Sequence, residues 1–198
     1  MLFHLYHIAF LEVILEEGTS RVELFPGFWP SNFIDQLEAI PLQQRQIKMF
    51  GKVHNEPRMT TWFGPAYSYS GISLDKKPIS KALSPLLDEV SDTANKHFNG
   101  VLINRYQNGK HYMGWHRDNE KEIDQSVIAS VSFGATRRFK IRHRKSKDVW
   151  NIELGDGDLL LMHNIQDKYE HCLPKSALVH DVRFNLTFRH IVPAGKLC

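Results

Sequence analysis

His116 and Asp118 stand two positions apart, and alternate residues of an extended chain leave the same face, so both side chains can point at one metal ion. A third ligand from the same strand would crowd them. A distant residue brought alongside would not, and His171 is of the right type. Two imidazoles and one carboxylate occupy three neighbouring coordination positions and leave the others open for substrate and oxygen. That pattern suits non-haem Fe(II) better than structural zinc, whose sites are closed.

A second constellation lies in Arg183-Phe184-Asn185-Leu186-Thr187-Phe188-Arg189. In a strand, Arg183, Asn185, Thr187 and Arg189 share one face and the three apolar residues share the other. The apolar face must pack into a core, so the polar face is expected to line a cavity and not bulk water. Paired arginines there can bind a dicarboxylate through forked, charge-assisted hydrogen bonds. Asn104 and Tyr106 share a face of a further strand, Val101–Tyr106, and both can hydrogen-bond an anion.

The elements that must position these residues are legible in outline. Phe25–Pro30 reads as a turn, after which Ser31 is expected to cap a short helix carrying Phe33, Ile34, Leu37 and Ile40. A second helix is expected over about 79–98, burying Leu83, Leu86, Leu87, Val90 and Ala94, with Pro85 marking a start or a kink. From Val101 onward the chain reads as short strands and turns. Val127–Phe133, Gly134-Ala135-Thr136 and Arg138–Arg142 read as a hairpin, and Gly155–Asp158 as a turn before Leu159–Met162. The expected class is α+β, with a strand-rich rear closing as a jelly-roll that holds the metal in its mouth.

At 198 residues and 42% hydrophobic content, the chain fits one domain with a sizeable core. A net charge of +3 permits nucleic-acid binding without demonstrating it. Cys172 and Cys198 provide no disulfide framework, which favours a reducing compartment. The apolar opening Met1–Phe10 lacks a basic leader and is too short to span a bilayer, so it reads as a packed terminal segment and no membrane association is expected.

Taken singly, each motif has an ordinary explanation. His116 and Asp118 read as a surface turn or a hydrogen-bonded core pair, Arg183 and Arg189 as salt-bridge formers, and the run Arg142–Lys147 as a solvated loop. Phe50 reads equally as core, and Trp62, Phe63, Tyr67 and Tyr69 as packing residues. The order of the blocks is what carries more. Asn104-Arg105-Tyr106, His116-Arg117-Asp118, Ser130–Ala135 and Arg183–Arg189 together resemble the AlkB family of Fe(II)- and 2-oxoglutarate-dependent nucleic-acid dioxygenases, over about residues 21–192. The likeness is greatest to the branch that repairs alkylated DNA and includes the vertebrate enzyme that works on duplexes.

The resemblance implies a double-stranded β-helix (jelly-roll) core over 101–198, preceded by helices and a nucleotide-recognition lid over 21–100 and an extension over 1–20. It implies Fe(II) on His116, Asp118 and His171, with O2 and 2-oxoglutarate as cosubstrates. Arg183 and Tyr106 would take the distal carboxylate, and Asn104 and Arg189 would steady the metal end. Asn185 and Thr187 would support the arginines. Pro57–Gly64, which includes Arg58, and Tyr67–Gly71 resemble the substrate lid, while Met49-Phe50-Gly51-Lys52 resembles a duplex-reading finger.

A flipped base needs an aromatic platform, and its vacancy in the stack needs a filler. Tyr69 with His116 would sandwich the base, Tyr67 and Ser70 would meet its polar edge, and Phe50 would plug the helix. Asn119 stands beside the base where members of that branch often carry a second acidic residue, with Glu120 as the neighbouring acid. The basic stretch Arg137, Arg138, Lys140, Arg142, Arg144, Lys145 and Lys147 can contact phosphates, although strand alternation lets only about half of it face one backbone.

The implied activity is oxidative demethylation of N-alkylated bases such as N1-methyladenine and N3-methylcytosine in methylated DNA, duplex or single-stranded, releasing formaldehyde, succinate and CO2. An RNA demethylase of the same chemistry and a noncatalytic nucleic-acid-binding jelly-roll are the alternatives. A monomer is expected, in the cytoplasm, or in the nucleus if the source is eukaryotic.

Overall fold

The computed structural model describes residues 11–49, 52–69 and 72–192. Met1–Phe10, Phe50, Gly51 and Ser70, with the expectations attached to them, lie outside the described residues. Along the chain run β1 (Glu12–Glu17), β2 (Ser20–Phe25), a 3-10 turn (Ser31–Phe33), α1 (Ile34–Glu38), β3 (Gln46–Met49), β4 (Lys52–Asn55), β5 (Met59–Phe63), β6 (Tyr67–Tyr69) and β7 (Ile72–Leu74). There follow α2 (Ser84–Thr93), β8 (Gly100–Tyr106), β9 (Met113–His116), β10 (Val127–Gly134), β11 (Arg137–His143), β12 (Val149–Leu154), β13 (Leu159–His163), β14 (Tyr169–Leu173) and β15 (Arg183–Arg189).

Among the described residues the strands form a seven-stranded sheet in the order β1-β2-β13-β10-β15-β8-β5 and a four-stranded sheet in the order β12-β11-β14-β9. Two small hairpins, β3-β4 and β6-β7, stand apart from them. One hydrophobic cluster fills the space between the large sheets, with Leu102, Ile128, Leu160 and Met162 meeting Phe139, Ile141, Ile152, Leu154 and Leu173. A second cluster packs Leu83, Leu86, Val90 and Phe98 on the other face of the larger sheet, against Val101, Ile103, Val131, Phe184, Leu186 and Phe188. This two-sheet architecture, with helices on one side, is the jelly-roll expected.

β15 is buried along its whole length, on both faces. Its Phe184, Leu186 and Phe188 enter the helix-side cluster, so the alternate residues necessarily face the space between the sheets. The polar face therefore lines a cavity, as the alternation requires.

Five local expectations need correction. The hairpin expected over 127–142 is absent, because β10 belongs to the larger sheet and β11 to the smaller one. Gly134, at a φ of +81°, turns the chain from one sheet to the other, which a side chain at that angle would resist. The corner is held from outside the turn: Gly134 N–H donates to Asp156 Oδ1 (2.8 Å) and Ala135 N–H to the Val182 carbonyl (2.9 Å).

The extension expected over 1–20 is, from Glu12 onward, part of the larger sheet: β1 pairs antiparallel with β2, and β2 with β13. β2 alternates buried Ser20, Val22 and Leu24 with less buried Arg21, Glu23 and Phe25, the signature of a half-buried strand. For the same reason, with β2 and β5 both in that sheet, the segment 21–100 is more than helices and a lid.

The second helix is shorter than 79–98. Pro85 sits in its first turn, where the missing N–H costs nothing, and Asn95, at a φ of +46°, stops it. Ser31 is the first residue of its 3-10 turn and Pro30 holds the cap position, so Ser31 is not an N-cap. No helix among the described residues is long and apolar enough to cross a membrane.

Candidate metal and cosubstrate centre

β9 and β14 are antiparallel neighbours with His116 opposite His171, which is how two histidines far apart in sequence come together. Their ring centroids are 4.3 Å apart. Asp118 follows β9 on the same side, and the candidate ligand atoms of His116, Asp118 and His171 all lie within 4.8 Å of one another.

Their protonation states suit a cation. Burial alone would raise the Asp118 carboxyl, but Arg189, His171 and His116 outweigh it and hold it at about 2. It is therefore a carboxylate. Burial, reinforced by the charge of His116, lowers His171 to about 3, leaving a neutral imidazole with a lone pair to donate. His116 is also lowered, chiefly by burial. Its Nδ1 lies 2.9 Å from the Gly114 carbonyl, so that nitrogen carries the hydrogen and Nε2 is left for a metal.

Asp118 is positioned from two sides. Its backbone N–H donates to Gln166 Oε1 (2.9 Å), and its Oδ1 accepts from Arg189 Nη2 (2.8 Å). Arg189 also donates through Nη1 to the Tyr67 hydroxyl (2.7 Å).

Arg183 is different. It is 2% exposed and donates through Nη2 to Ser132 Oγ at 2.8 Å. No carboxylate among the described residues lies within ion-pair distance of it, and its Nε has no hydrogen-bond partner. Burial lowers it to about 10. A buried guanidinium without a counter-ion is costly, and it lies in the same cavity as the three candidate ligands. The donor set fits iron, and the uncompensated cation fits the far carboxylate of a dicarboxylate.

Asn104, Tyr106, Asn185 and Thr187 line that cavity as well. Arg183 lies over the Tyr106 ring, its guanidinium carbon 5.6 Å from the centroid. Asn185 donates to Ser130 Oγ (2.6 Å), and Thr187 donates to Asn185 Oδ1 (3.1 Å). The six cofactor positions expected from sequence are thus brought together. Arg183 and Arg189 are about 20 Å apart along the strand at Cα, and their surroundings differ: Arg189 is paired with Asp118, whereas no described carboxylate pairs with Arg183.

The expected substrate residues are distributed differently. Arg58 is not on the lid surface. It is buried and lines the same cavity, where it donates to Asn104 Oδ1 (2.8 Å) and pairs with buried Glu56 (3.0 Å). Tyr67 is also buried, packed on Trp62 at 4.7 Å between centroids, with its hydroxyl at Arg189 instead of standing free at a base edge. Burial pushes Tyr67 up to about 12, so it keeps its proton. Glu120 is among the charges that raise Tyr67, which places it beside the site, whereas Asn119 is exposed. The backbones of Tyr69 and Lys52 lie in β6 and β4, one in each small hairpin.

The basic stretch loses its most buried member. Arg137 is 1% exposed and donates to the carbonyls of Asn108, His111 and Pro174, so it pins loops and cannot reach a phosphate. Arg138 pairs with Glu153 and Arg142 with Glu170 across neighbouring strands.

Sequence reading missed Gln166, Glu56 and the acceptor role of Ser132. The serine was detectable, since Ser130 and Ser132 share one strand face. Gln166 approaches from the loop before β14 and carries no local signal.

The model of the 2OG-Fe(II) oxygenase superfamily matches residues 30–189. The human protein named DNA oxidative demethylase ALKBH2 is 41% identical over 164 residues, spanning 76% of this chain and 63% of that protein. Its bovine counterpart is 40% identical, spanning 76% and 59%. The human alpha-ketoglutarate-dependent dioxygenase alkB homolog 3 is 34% identical over 197 residues, spanning 89% of this chain and 68% of that protein. The chain thus spans about three-fifths of the length of the first two. The solved structure of OsALKBH1 covers 90% of this chain with a TM-score of 0.61 at 13% identity, a likeness that bears on the fold alone. With the metal-ligand triad, the buried arginine and these relatives in agreement, the chain belongs to the AlkB family of the 2OG-Fe(II) oxygenase superfamily.

Proposed function

We propose that this protein is an oxidative demethylase acting on N-alkylated bases in DNA, such as N1-methyladenine and N3-methylcytosine. The observation that carries the reading is the pairing of a metal-ready His116-Asp118-His171 face with the uncompensated guanidinium of Arg183 in one cavity. The names of the relatives, DNA oxidative demethylases among them, direct the choice of substrate.

Bound iron, with 2-oxoglutarate and O2, would supply oxidation of the N-methyl carbon, the cosubstrate leaving as succinate and CO2 and the methyl group as formaldehyde. The chain's own residues orient and insulate. Arg189 fixes the carboxylate of Asp118, Arg183 and Tyr106 receive the far carboxylate, and Asn104 is held by Arg58 at the metal end. Tyr67, protonated at neutral pH, accepts from Arg189 and steadies that guanidinium against Asp118. Tyr69 with His116 is the proposed base platform and Phe50, with Gly51 and Lys52, the wedge. Ser70, Asn119 and Glu120 are proposed to read the base. A methyl group on a Watson–Crick position weakens pairing and lowers the cost of flipping, a few kcal/mol.

The test is turnover of methylated oligonucleotides, single- and double-stranded, with iron, ascorbate and 2-oxoglutarate. Formaldehyde and succinate in equal amounts are expected. No release of either from any of them would reject the proposal.

A further inference from the structure

β5 is the edge strand of the larger sheet, and its outer edge is covered at only two points among the described residues. Thr60 exchanges both backbone bonds with Gln43, and Gly64 exchanges both with Lys77. Backbone groups of alternate residues in an antiparallel strand point to the same side. The N–H and C=O of Trp62 therefore face the gap between those bridges, where no described strand or bridge meets them.

That gap is a groove of about 370 Å³, against the roughly 10–15 Å³ that a cavity needs to hold a single water. Arg45, Lys76 and Lys77 line it, opposed by Asp75 alone. None of the three cations is in an ion pair with a described carboxylate. Arg45 Nε donates to Thr60 Oγ1 (3.1 Å), while Lys77 Nζ donates to Thr61 Oγ1 (3.3 Å) and lies 4.0 Å from the Phe63 ring centroid; neighbouring strand residues face opposite ways, so the two cations flank the strand edge from its two faces and keep their remaining N–H donors for a ligand.

The groove lies where the chain enters the β3-β4 hairpin and leaves the β6-β7 hairpin. Its floor connects to the metal site through two side chains, since Trp62 packs on Tyr67 and Tyr67 accepts from Arg189, which holds Asp118. By contrast, the arginines of β11 are buried or paired.

We propose that this gap is a phosphodiester site in which Arg45, Lys76, Lys77 and the Trp62 N–H receive one backbone phosphate of the strand carrying the methylated base. Cations on both sides of an open backbone N–H supply the charge and the donors that a phosphate requires. The inference rests on the nucleic-acid reading of the neighbouring site.

The test is anisotropy of a fluorescein-labelled, unmethylated single strand against the full chain, titrated at several salt concentrations. Lys76 is exposed, so Lys76→Glu should fold normally, which thermal melting checks. It should weaken binding several-fold at low salt, and with Arg45→Gln added it should flatten the slope of log K against log salt by about 0.7, the share of one phosphate on a single strand. Lys76→Arg should restore affinity, and Lys110→Glu, on the exposed loop after β8, should change the slope less. Groove variants with wild-type slope and affinity would overturn the site, as would an equal effect from Lys110→Glu. A wild-type chain with no salt-dependent strand binding would instead reject the nucleic-acid reading on which the site depends.

Discussion

Replacing Arg183 by Met separates a ligand-binding cation from a structural one, because the first role predicts little change in stability and the second a clear loss. Burial brings Arg183 well below the ordinary guanidinium range, to about 10, which corresponds to roughly 3 kcal/mol against the charged form at about 1.36 kcal/mol per unit. The folded state holds this proton less tightly than the unfolded chain does. The penalty is therefore complete below about pH 10 and is relieved only as the pH rises beyond it, so at neutral pH all of it stands.

Arg183→Met removes that cost. It also removes the hydrogen bond from the charged guanidinium to Ser132, about 1.5–3 kcal/mol, and the stacking on Tyr106, about 1 kcal/mol. The losses and the relief nearly cancel, so the ligand-free protein should stay within about 1 kcal/mol of the wild type, a change in Tm of no more than about 2–4 °C for a chain of this length. Affinity for 2-oxoglutarate should fall, since hydrogen bonds to a charged group contribute about 1.5–3 kcal/mol, or about 10- to 150-fold. Thermal melts with and without 2-oxoglutarate, using Mn(II) so that no turnover occurs, read both quantities. A variant that melts several degrees lower, yet retains the wild-type stabilisation by 2-oxoglutarate, would refute the reasoning and make Arg183 structural.

Arg137→Met should lower stability by several kcal/mol, because three carbonyls lose one buried donor group; a chemical denaturation midpoint reads it, and little change would contradict the assigned pinning role. In the metal-free protein, a His171 lowered to about 3 by burial and by His116 takes up its proton in the unfolded state first. Stability should therefore fall as the pH drops below 6.5 towards 3, and His171→Asn should flatten that limb of the pH–stability curve. His171→Ala should abolish iron-dependent turnover, and full activity would disprove its place among the ligands. Phe50→Ala should reduce activity on duplex far more than on single strands, and equal losses would reject the wedge.

Strand alternation made the chemistry legible before the architecture was. The Arg183–Arg189 run forms β15 with those bounds, and its polar face lines the cavity because Phe184, Leu186 and Phe188 leave it no other side. The β1-β2 pair was equally legible: β2 alternates strictly and the intervening turn is Gly18-Thr19, with Gly18 at a φ of +61°. The hairpin expected over 127–142 failed because a Gly-containing turn between two strand-like segments looks the same whether the strands pair or part. What decides is the partner across the turn, here Asp156 and Val182.

By itself, the sequence determined the residue types and the spacings of period two, and with them the metal-binding pair, the amphipathic arginine strand and the family resemblance. Those are local properties of an extended chain. Only the tertiary structure decided which of two similar arginines is engaged. Asp118 lies against Arg189 and, among the described residues, no carboxylate lies against Arg183, and whether a buried charge meets its opposite depends on strands far apart in sequence. The same holds for Arg58, drawn to Asn104 and Glu56, and for Tyr67, drawn to Arg189. Burial makes an unsatisfied polar group expensive, so it is the packed neighbours, not the sequence neighbours, that assign each side chain its task.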